Sequence, residues 1–341
     1  MTLLALLDSL PDQKKKINAE ALDLGRGKSI KFIRTLMAML YSALTNKTRN
    51  IGDFVQTIAA IRFLPKVDYY IDREDMPASS FKPPSFLIAN GWYMHKPENF
   101  PPPDNIHPFY ISIHIEHPSM LSIKTIAHFK KHEPIGCRDN STFELLRSKG
   151  VFVYLSGCLT LTLKNRFGKR SDNVYIVDVD DSFLDTIPES IKSKAVFISH
   201  VKRLSIPWRA LDVIFPDIYT RGRIALAQSY LDSYARAKLV ITSRLHCFFP
   251  CLAFHTPTVL LIPKKVYSPS RLLSVQKLYQ NVYLHDQKGS INWDPAPQDF
   301  MEKAKFLSNL TKKAVEIQDN PLKYHDIKYF CEGSWRPEAS G

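Results

Sequence analysis

Short apolar runs alternate with amphipathic stretches along most of this chain, and that alternation constrains the fold more than any single motif does. A strand-helix-strand order with short connections implies parallel strands, because the chain must cross back over the sheet before the next strand starts. The first series opens at NIGDFVQTIAAIRFLP (50–65), where Gly52 and Asp53 read as a loop and a helix start. Val55, Ile58 and Ala59 then share one helical face, and Pro65 closes the segment. VDYYIDRE reads as a short strand, SFLIANGWYM as an apolar strand ending in an Asn-Gly turn, and FYISIHIE as an alternating strand. PIGCRDNSTFELLRSKG predicts a strand end, a loop and a helix that Asn140 or Ser141 caps and Gly150 stops. VFVYLSGCLTLTL is a further strand followed by a turn.

KNRFGKRSDN (164–173) is basic and polar and reads as a linker. The alternation then restarts: strands VYIVDVD and AVFISH, helix GRIALAQSYLDSYARA, strand KLVIT, a helix from about Ser243, strand TVLLIP, and a closing helix in PQDFMEKAKFLSNLTKKAVEIQ. The 341 residues suffice for two domains. The expected fold class is α/β, with two Rossmann-like domains at residues 49–165 and 172–320 facing each other across a cleft. Residues 1–48 read as an arm with the first elements, and 321–341 as a tail. Parallel sheets bind ligands beyond the carboxyl ends of their strands. The turns NIGD and TSRLH are therefore expected at the cleft.

Composition narrows the function classes. Hydrophobic residues make up 45% and charged residues 23%, which fits a folded globular protein and excludes a disordered one. The net charge of +13 points to an anionic partner. No basic block is interleaved with aromatic residues, so a nucleic-acid stacking surface is not expected. The basic runs Lys14–Lys16 and Lys164–Arg170 read as solvated loops. No stretch approaches the roughly 18 apolar residues of a membrane span, and TLMAMLYSAL (35–44) is too short and too internal for a signal peptide. The expected location is cytoplasmic, with peripheral membrane contact left open. Cys137, Cys158, Cys247, Cys251 and Cys331 form an odd set in mostly apolar surroundings, which suits reduced, core-packed thiols. Cys247 and Cys251 lack the second ligand pair that a zinc site needs, and no metal is expected.

Most motif candidates fail on inspection. LGRGKSI (24–30) is not a phosphate loop, because Leu22 stands where the first glycine belongs. No dinucleotide fingerprint follows a strand, and no nucleophile elbow is present. In ISIHIEHP, His114 and Glu116 share a strand face while His117 points away, which suits a polar cluster at a strand end better than a metal site. TSRLHC is the strongest local signal. Thr242 or Ser243 can cap a helix whose free N–H groups favour an anion. Arg244 adds a planar fork for phosphate or carboxylate. His246 in the same first turn is expected neutral near pH 7, because the helix dipole opposes its charge. The alternative is that Arg244 pairs with a carboxylate and His246 packs beneath it. In GCRD, Arg138 either binds an anion or pairs with Asp139.

In order along the chain, NIGDFVQTIAA, NGWYMH, PIGCRDNSTFELLRSKGVFVYLSGCLTLTL and AKLVITSRLHCFFPCLAFHTP together resemble the polysaccharide pyruvyl transferase family, over about Asn50 to Pro263. The resemblance implies a fold similar to two-domain, GT-B type glycosyltransferases. It implies transfer of the pyruvyl group of phosphoenolpyruvate onto two hydroxyls of a sugar, giving a cyclic ketal and phosphate, with no further cofactor. The family's anion-binding Arg and His map onto Arg244 and His246, its Gly-Asp turn onto Gly52 and Asp53, and the Arg of its Cys-Arg-Asp segment onto Arg138. On that basis Arg244, Arg138 and Ser243 hold the donor anion. His246 is the general acid/base or phosphate partner, and Asp53 the sugar-hydroxyl contact or base. Gly52, Gln56, Asn90 and His114 fall on the acceptor side. The acceptor is a sugar or glycan, free or lipid-linked, and the oligomeric state is open. His255 departs from the family, which usually carries Gly there, and is expected to alter the turn after the helix. The rival readings are a glycosyltransferase using a nucleotide sugar and a non-catalytic carbohydrate-binding protein.

Overall fold

The computed structural model describes residues 50–77, 83–93, 96–201, 218–265 and 269–318. The arm with Lys14–Lys16, LGRGKSI and TLMAMLYSAL, the last two residues of NGWYMH, Cys331 and the 321–341 tail lie outside the described residues. The elements below belong to one compact unit, Arg49–Arg203 with Thr220–Gly341, apart from the first two residues of helix α6.

The fold is α/β with two parallel sheets. The first contains β1 (Ser85–Tyr93), β2 (Ile106–Ile115), β3 (Ile135–Cys137) and β4 (Val153–Leu155), side by side in chain order. The second contains β5 (Val174–Val177), β6 (Ala195–Ile198), β7 (Leu239–Thr242), β8 (Thr258–Ile262) and β9 (Val282–Leu284), in the order β6-β5-β7-β8-β9. The helices are α1 (Ile51–Ile61), α2 (Ile123–Lys131), α3 (Asn140–Arg147), α4 (Asp181–Leu184), α5 (Glu189–Lys192), α6 (Ile218–Arg236), α7 (Leu245–Ala253), α8 (Pro269–Leu278) and α9 (Met301–Glu316). Every residue of β7 and β8 is buried, as is all of β2 except His107. Parallel strands covered on both faces have no solvent side, which is why these segments read as continuous apolar runs. Each fully buried Leu, Ile or Val contributes about 1.5–3 kcal/mol. Among the described residues no helix is long and apolar enough to cross a membrane. Cys137, Cys158, Cys247 and Cys251 are free and buried.

Local chemistry moved several boundaries. Gly52 and Asp53 are not in a loop: Asn50 caps α1 by accepting the Gly52 N–H at 3.0 Å, so the helix starts at Ile51. Asp139, not Asn140 or Ser141, caps α3, with its carboxylate accepting the Thr142 N–H at 3.0 Å. The Asn-Gly pair makes no turn. β1 runs on to Tyr93, with an irregularity against β2 between Ala89 and Gly91 and Gly91 at φ 129°. VDYYIDRE forms no strand, and among the described residues nothing pairs with the outer side of β1. α2, α4, α5, α8 and β9 were not anticipated.

The linker 164–173 carries no helix or strand. Its Arg170 is nonetheless tied down, donating to the carbonyls of Phe254 (3.0 Å) and His255 (2.6 Å) and to Thr256 Oγ1 (2.9 Å). These acceptors form the turn after α7. His255 takes φ 53°, the left-handed value a glycine would supply. Its N–H bonds to Leu252 O, and the Thr256 N–H to Cys251 O at 2.8 Å, which completes a Schellman turn. His255 therefore leaves the turn geometry intact, at the energetic cost of a side chain in a left-handed conformation. Helix α9 packs against the 3-10 turn Leu159–Thr162 that follows β4, and Phe306 meets Tyr154 edge-on at 6.3 Å.

Candidate active site

In the second sheet the chain leaves β5 for β6 on one side and then returns to lay β7 on the other. Such a reversal opens a crevice between the carboxyl ends of the two central strands. Asp178 follows β5 there, and Ser243 and Arg244 follow β7. Thr242 Oγ1 donates to Val177 O at 3.0 Å and accepts the Arg244 N–H at 2.9 Å, locking the two ends together. Asp178 takes φ 44°, a strained value for a non-glycine residue. Its Oδ2 accepts from the His200 N–H and from Arg244 Nε, both at 2.9 Å. The expected carboxylate partner of Arg244 is therefore present, and the Arg244 side chain stays 40% exposed. Neither Thr242 nor Ser243 caps α7: the cap position is Arg244, and no side chain bonds the first turn. Ser243 Oγ is buried without a hydrogen-bond partner.

His246 occupies the first turn of α7 and departs from helical geometry (φ −85°, ψ 16°). Pro250, four residues on, has no N–H to return to the His246 carbonyl, which accounts for the kink. The His246 ring meets Arg138, with Nη1 at 3.3 Å from Nε2. A guanidinium only donates, so Nε2 carries the lone pair and the imidazole is the neutral Nδ1–H form. Gly52 lies against the same ring: a Cβ there would stand 3.1 Å from His246 Cβ and 3.2 Å from Nδ1. The need for glycine at this position is close approach, not unusual backbone. α1 reaches the ring because its Ile51 N–H bonds His200 O at 2.9 Å, beyond the end of β6.

Arg138 leaves the sheet one residue beyond β3. Its side chain is 2% exposed. Nη1 also reaches Gln56 Oε1 at 3.4 Å, and Nε stands 3.9 Å from Asp139 Oδ2. Nε and Nη2 have no hydrogen-bond partner. Burial pulls the guanidinium below its ordinary value. A buried cation with idle donors is costly on its own, which is why such groups are normally paired. Arg138 and Asp139 line a small pocket of about 10 Å³, room for about one water, with Leu245 and Phe249 of α7 and Tyr279 beyond α8.

The acceptor-side candidates form the support behind Arg138. Gln56 Nε2 donates to Asp53 Oδ1 at 3.3 Å, and Arg73 Nη1 pairs with the same oxygen at 3.2 Å. Asn90 Nδ2 donates to Gln56 O at 3.1 Å. Asp53 thus stands between Arg73 and Gln56, one residue removed from Arg138. His114 is fully buried, with Nδ1 2.7 Å from Asp139 Oδ2 and Nε2 2.8 Å from Glu116 Oε2. Burial pushes the Asp139 carboxyl up, but His114, Arg138 and Ser141 outweigh it and hold it well below the usual carboxylate range. The expected strand-end cluster exists, buried beside Arg138. Arg73 and Asp178 escaped the sequence reading. Asp178 carried a signal, as an acidic residue directly after the apolar run of β5; Arg73 did not.

One comparison bears on this arrangement: the family model for polysaccharide pyruvyl transferase matches residues 50–264. That span is more than half of the chain. The chain belongs to the polysaccharide pyruvyl transferase family. The matched span carries Gly52, Asp53, Arg138, Arg244 and His246. Membership supports a transferase of polysaccharide biosynthesis acting on a glycan. No curated protein and no solved structure matches the chain.

Proposed function

We propose that this family member transfers the pyruvyl group of phosphoenolpyruvate to two hydroxyls of one sugar in a glycan or glycan precursor. In this reading the two sheets are Rossmann-like domains of GT-B type, and the reaction takes place between their carboxyl ends. The observation that carries it is Arg138, a buried guanidinium whose Nε and Nη2 make no hydrogen bond, with Nε 3.9 Å from Asp139 Oδ2, beside the neutral His246. Nε and Nη2 form the edge that fits a carboxylate or phosphate in two parallel bonds. Arg244, half-exposed on Asp178, offers its remaining donors from the other sheet.

The chemistry asks for charge stabilisation and proton movement. The enol methylene takes up a proton, and the positive charge that develops at the central carbon is met by a sugar oxygen. The bond to phosphate then breaks, and the second hydroxyl closes the ketal. Of the two hydroxyl protons lost overall, one is balanced by the new methyl group and the other by the departing phosphate. Pre-set cations around the phosphate contribute most where charge builds as it leaves. His246 has a lone pair on Nε2 and a proton on Nδ1, so it can accept or donate as the steps require. Asp53 orients Gln56, and through it Arg138, and in this reading meets a sugar hydroxyl. Phosphate release from phosphoenolpyruvate with a panel of glycans tests the assignment. His246→Ala is expected to lower turnover at least 100-fold, and full turnover in that variant would remove His246 from the mechanism.

A further inference from the structure

Lys303 lies on α9, beyond the family match that ends at residue 264. β3 and β4 are in register with Cys137 opposite Leu155, and the Ser156 N–H bonds Cys137 O at 2.8 Å. Arg138 and Ser156 therefore leave the sheet side by side at its carboxyl edge, with Gly157 the next residue. Gly157 takes φ 71°, and a Cβ there would stand 2.5 Å from Lys303 Cε and 2.9 Å from Nζ. The end of the Lys303 side chain thus occupies, at the strand end, space that a side chain at residue 157 would fill. α9 is held there by its packing on the turn after β4 and by the Phe306–Tyr154 contact.

The next residue links the two cations. Cys158 is buried, and burial pushes its thiol up, so it is neutral. Arg138, Lys303 and Tyr279 all lie close to that thiol, and Tyr279 lines the pocket beside Arg138. Burial lowers Lys303 to about 8. Phosphoenolpyruvate brings roughly −1.5 to −2 on its phosphate near neutral pH and a further charge on its carboxylate. The Arg244 charge is already shared with Asp178, and Arg138 stands beside Asp139. The known motif therefore supplies less positive charge than the donor brings.

We propose that Lys303 is a further donor-binding residue, whose ammonium meets the phosphate or carboxylate of phosphoenolpyruvate together with Arg138. This rests on the reading of the site as a phosphoenolpyruvate site. It also explains Gly157, whose missing side chain leaves room for the ammonium. The test is calorimetric titration of phosphoenolpyruvate into the full chain and its variants, with thermal unfolding as the control for folding. Lys303→Met and Lys303→Gln are expected to weaken binding at least tenfold, and Lys303→Arg to recover most of that loss. Gly157→Ala displaces the ammonium and is expected to weaken binding in the wild type but to add little in the Lys303→Gln background. Wild-type binding that persists unchanged in folded Lys303→Met or Lys303→Gln overturns this proposal alone. Failure of the wild type to bind phosphoenolpyruvate overturns the functional reading together with it.

Discussion

Substituting Gly52 by Ala separates the site from the fold that carries it. Gly52 is the second residue of α1, where alanine is the better helix former by about 1 kcal/mol. The added methyl would stand 3.1 Å from His246 Cβ and 3.2 Å from Nδ1 and from Asn50 Oδ1, a few tenths of an ångström inside ordinary contact. Asn50 is the helix cap, so its side chain yields little without losing the cap bond. The His246 ring must then move. Its bond to Arg138 is already long at 3.3 Å, and a shift of a few tenths of an ångström breaks it. Loss of one hydrogen bond to a charged group is worth about 1.5–3 kcal/mol, or roughly 10- to 150-fold. Gly52→Ala is therefore expected to keep its melting temperature within a few degrees, since the propensity gain offsets the crowding. Its kcat/KM for pyruvyl transfer should fall by at least about tenfold, a loss of some 1.4 kcal/mol of transition-state stabilisation. The assay pairs thermal unfolding with phosphate release at limiting phosphoenolpyruvate. A more stable variant with undiminished kcat/KM would refute the claim that the Gly52–His246–Arg138 stack sets the geometry.

Further expectations follow from single contacts. Arg138→Lys should lose most donor affinity despite keeping the charge, because an ammonium cannot reach Gln56, His246 and a ligand oxygen with one planar fork; calorimetry reads the loss. His255→Gly should raise stability by roughly 0.5–1 kcal/mol without changing activity, since the left-handed φ of 53° is cheaper for glycine and the Arg170 bonds go to backbone; a lower midpoint in denaturant would contradict it. Burial, reinforced by their mutual repulsion and nearby lysines, lowers His128 to about 3, and burial chiefly lowers His132 to about 4. Both folded values lie below the unfolded value of about 6.5, so their stabilising effect is complete above that pH and is lost as pH falls toward 4. The melting temperature should drop between pH 6.5 and 4.5, by less than the limit of about 1.4 kcal/mol per pH unit per histidine because both rings are partly solvated, and His132→Gln should flatten the slope.

What could be read before the structure depended on how local the deciding contact is. The strands of the second sheet were legible because burial on both faces leaves unbroken apolar runs, as in Thr258–Ile262. The turn after β7 was legible because polar residues between two such runs need a reason. Caps were harder: Asp139, Asn140 and Ser141 all suit the position, and Asp139 wins because its other oxygen also serves His114. Asn90-Gly91 looked like a turn, but the glycine serves a strand irregularity, with φ 129° and close packing: a side chain would meet Arg73 Nη1 at 3.2 Å and Gln56 Oε1 at 3.4 Å. Pairings across long stretches of chain, such as Arg244 with Asp178 and Arg138 with His246, leave no mark on local composition. The resemblance to the family supplied Arg138 and His246 together; their hydrogen bond and the idle donors of Arg138 appear only in the folded chain.

The central claim is that the buried, half-satisfied Arg138 waits for phosphoenolpyruvate. Calorimetric titration of the wild type and of Arg138→Met, with phosphoenolpyruvate and a panel of nucleotide sugars, tests it directly. The account predicts saturable binding of phosphoenolpyruvate to the wild type, loss of that binding in Arg138→Met, and no binding of the nucleotide sugars. Binding of a nucleotide sugar with none of phosphoenolpyruvate would contradict it.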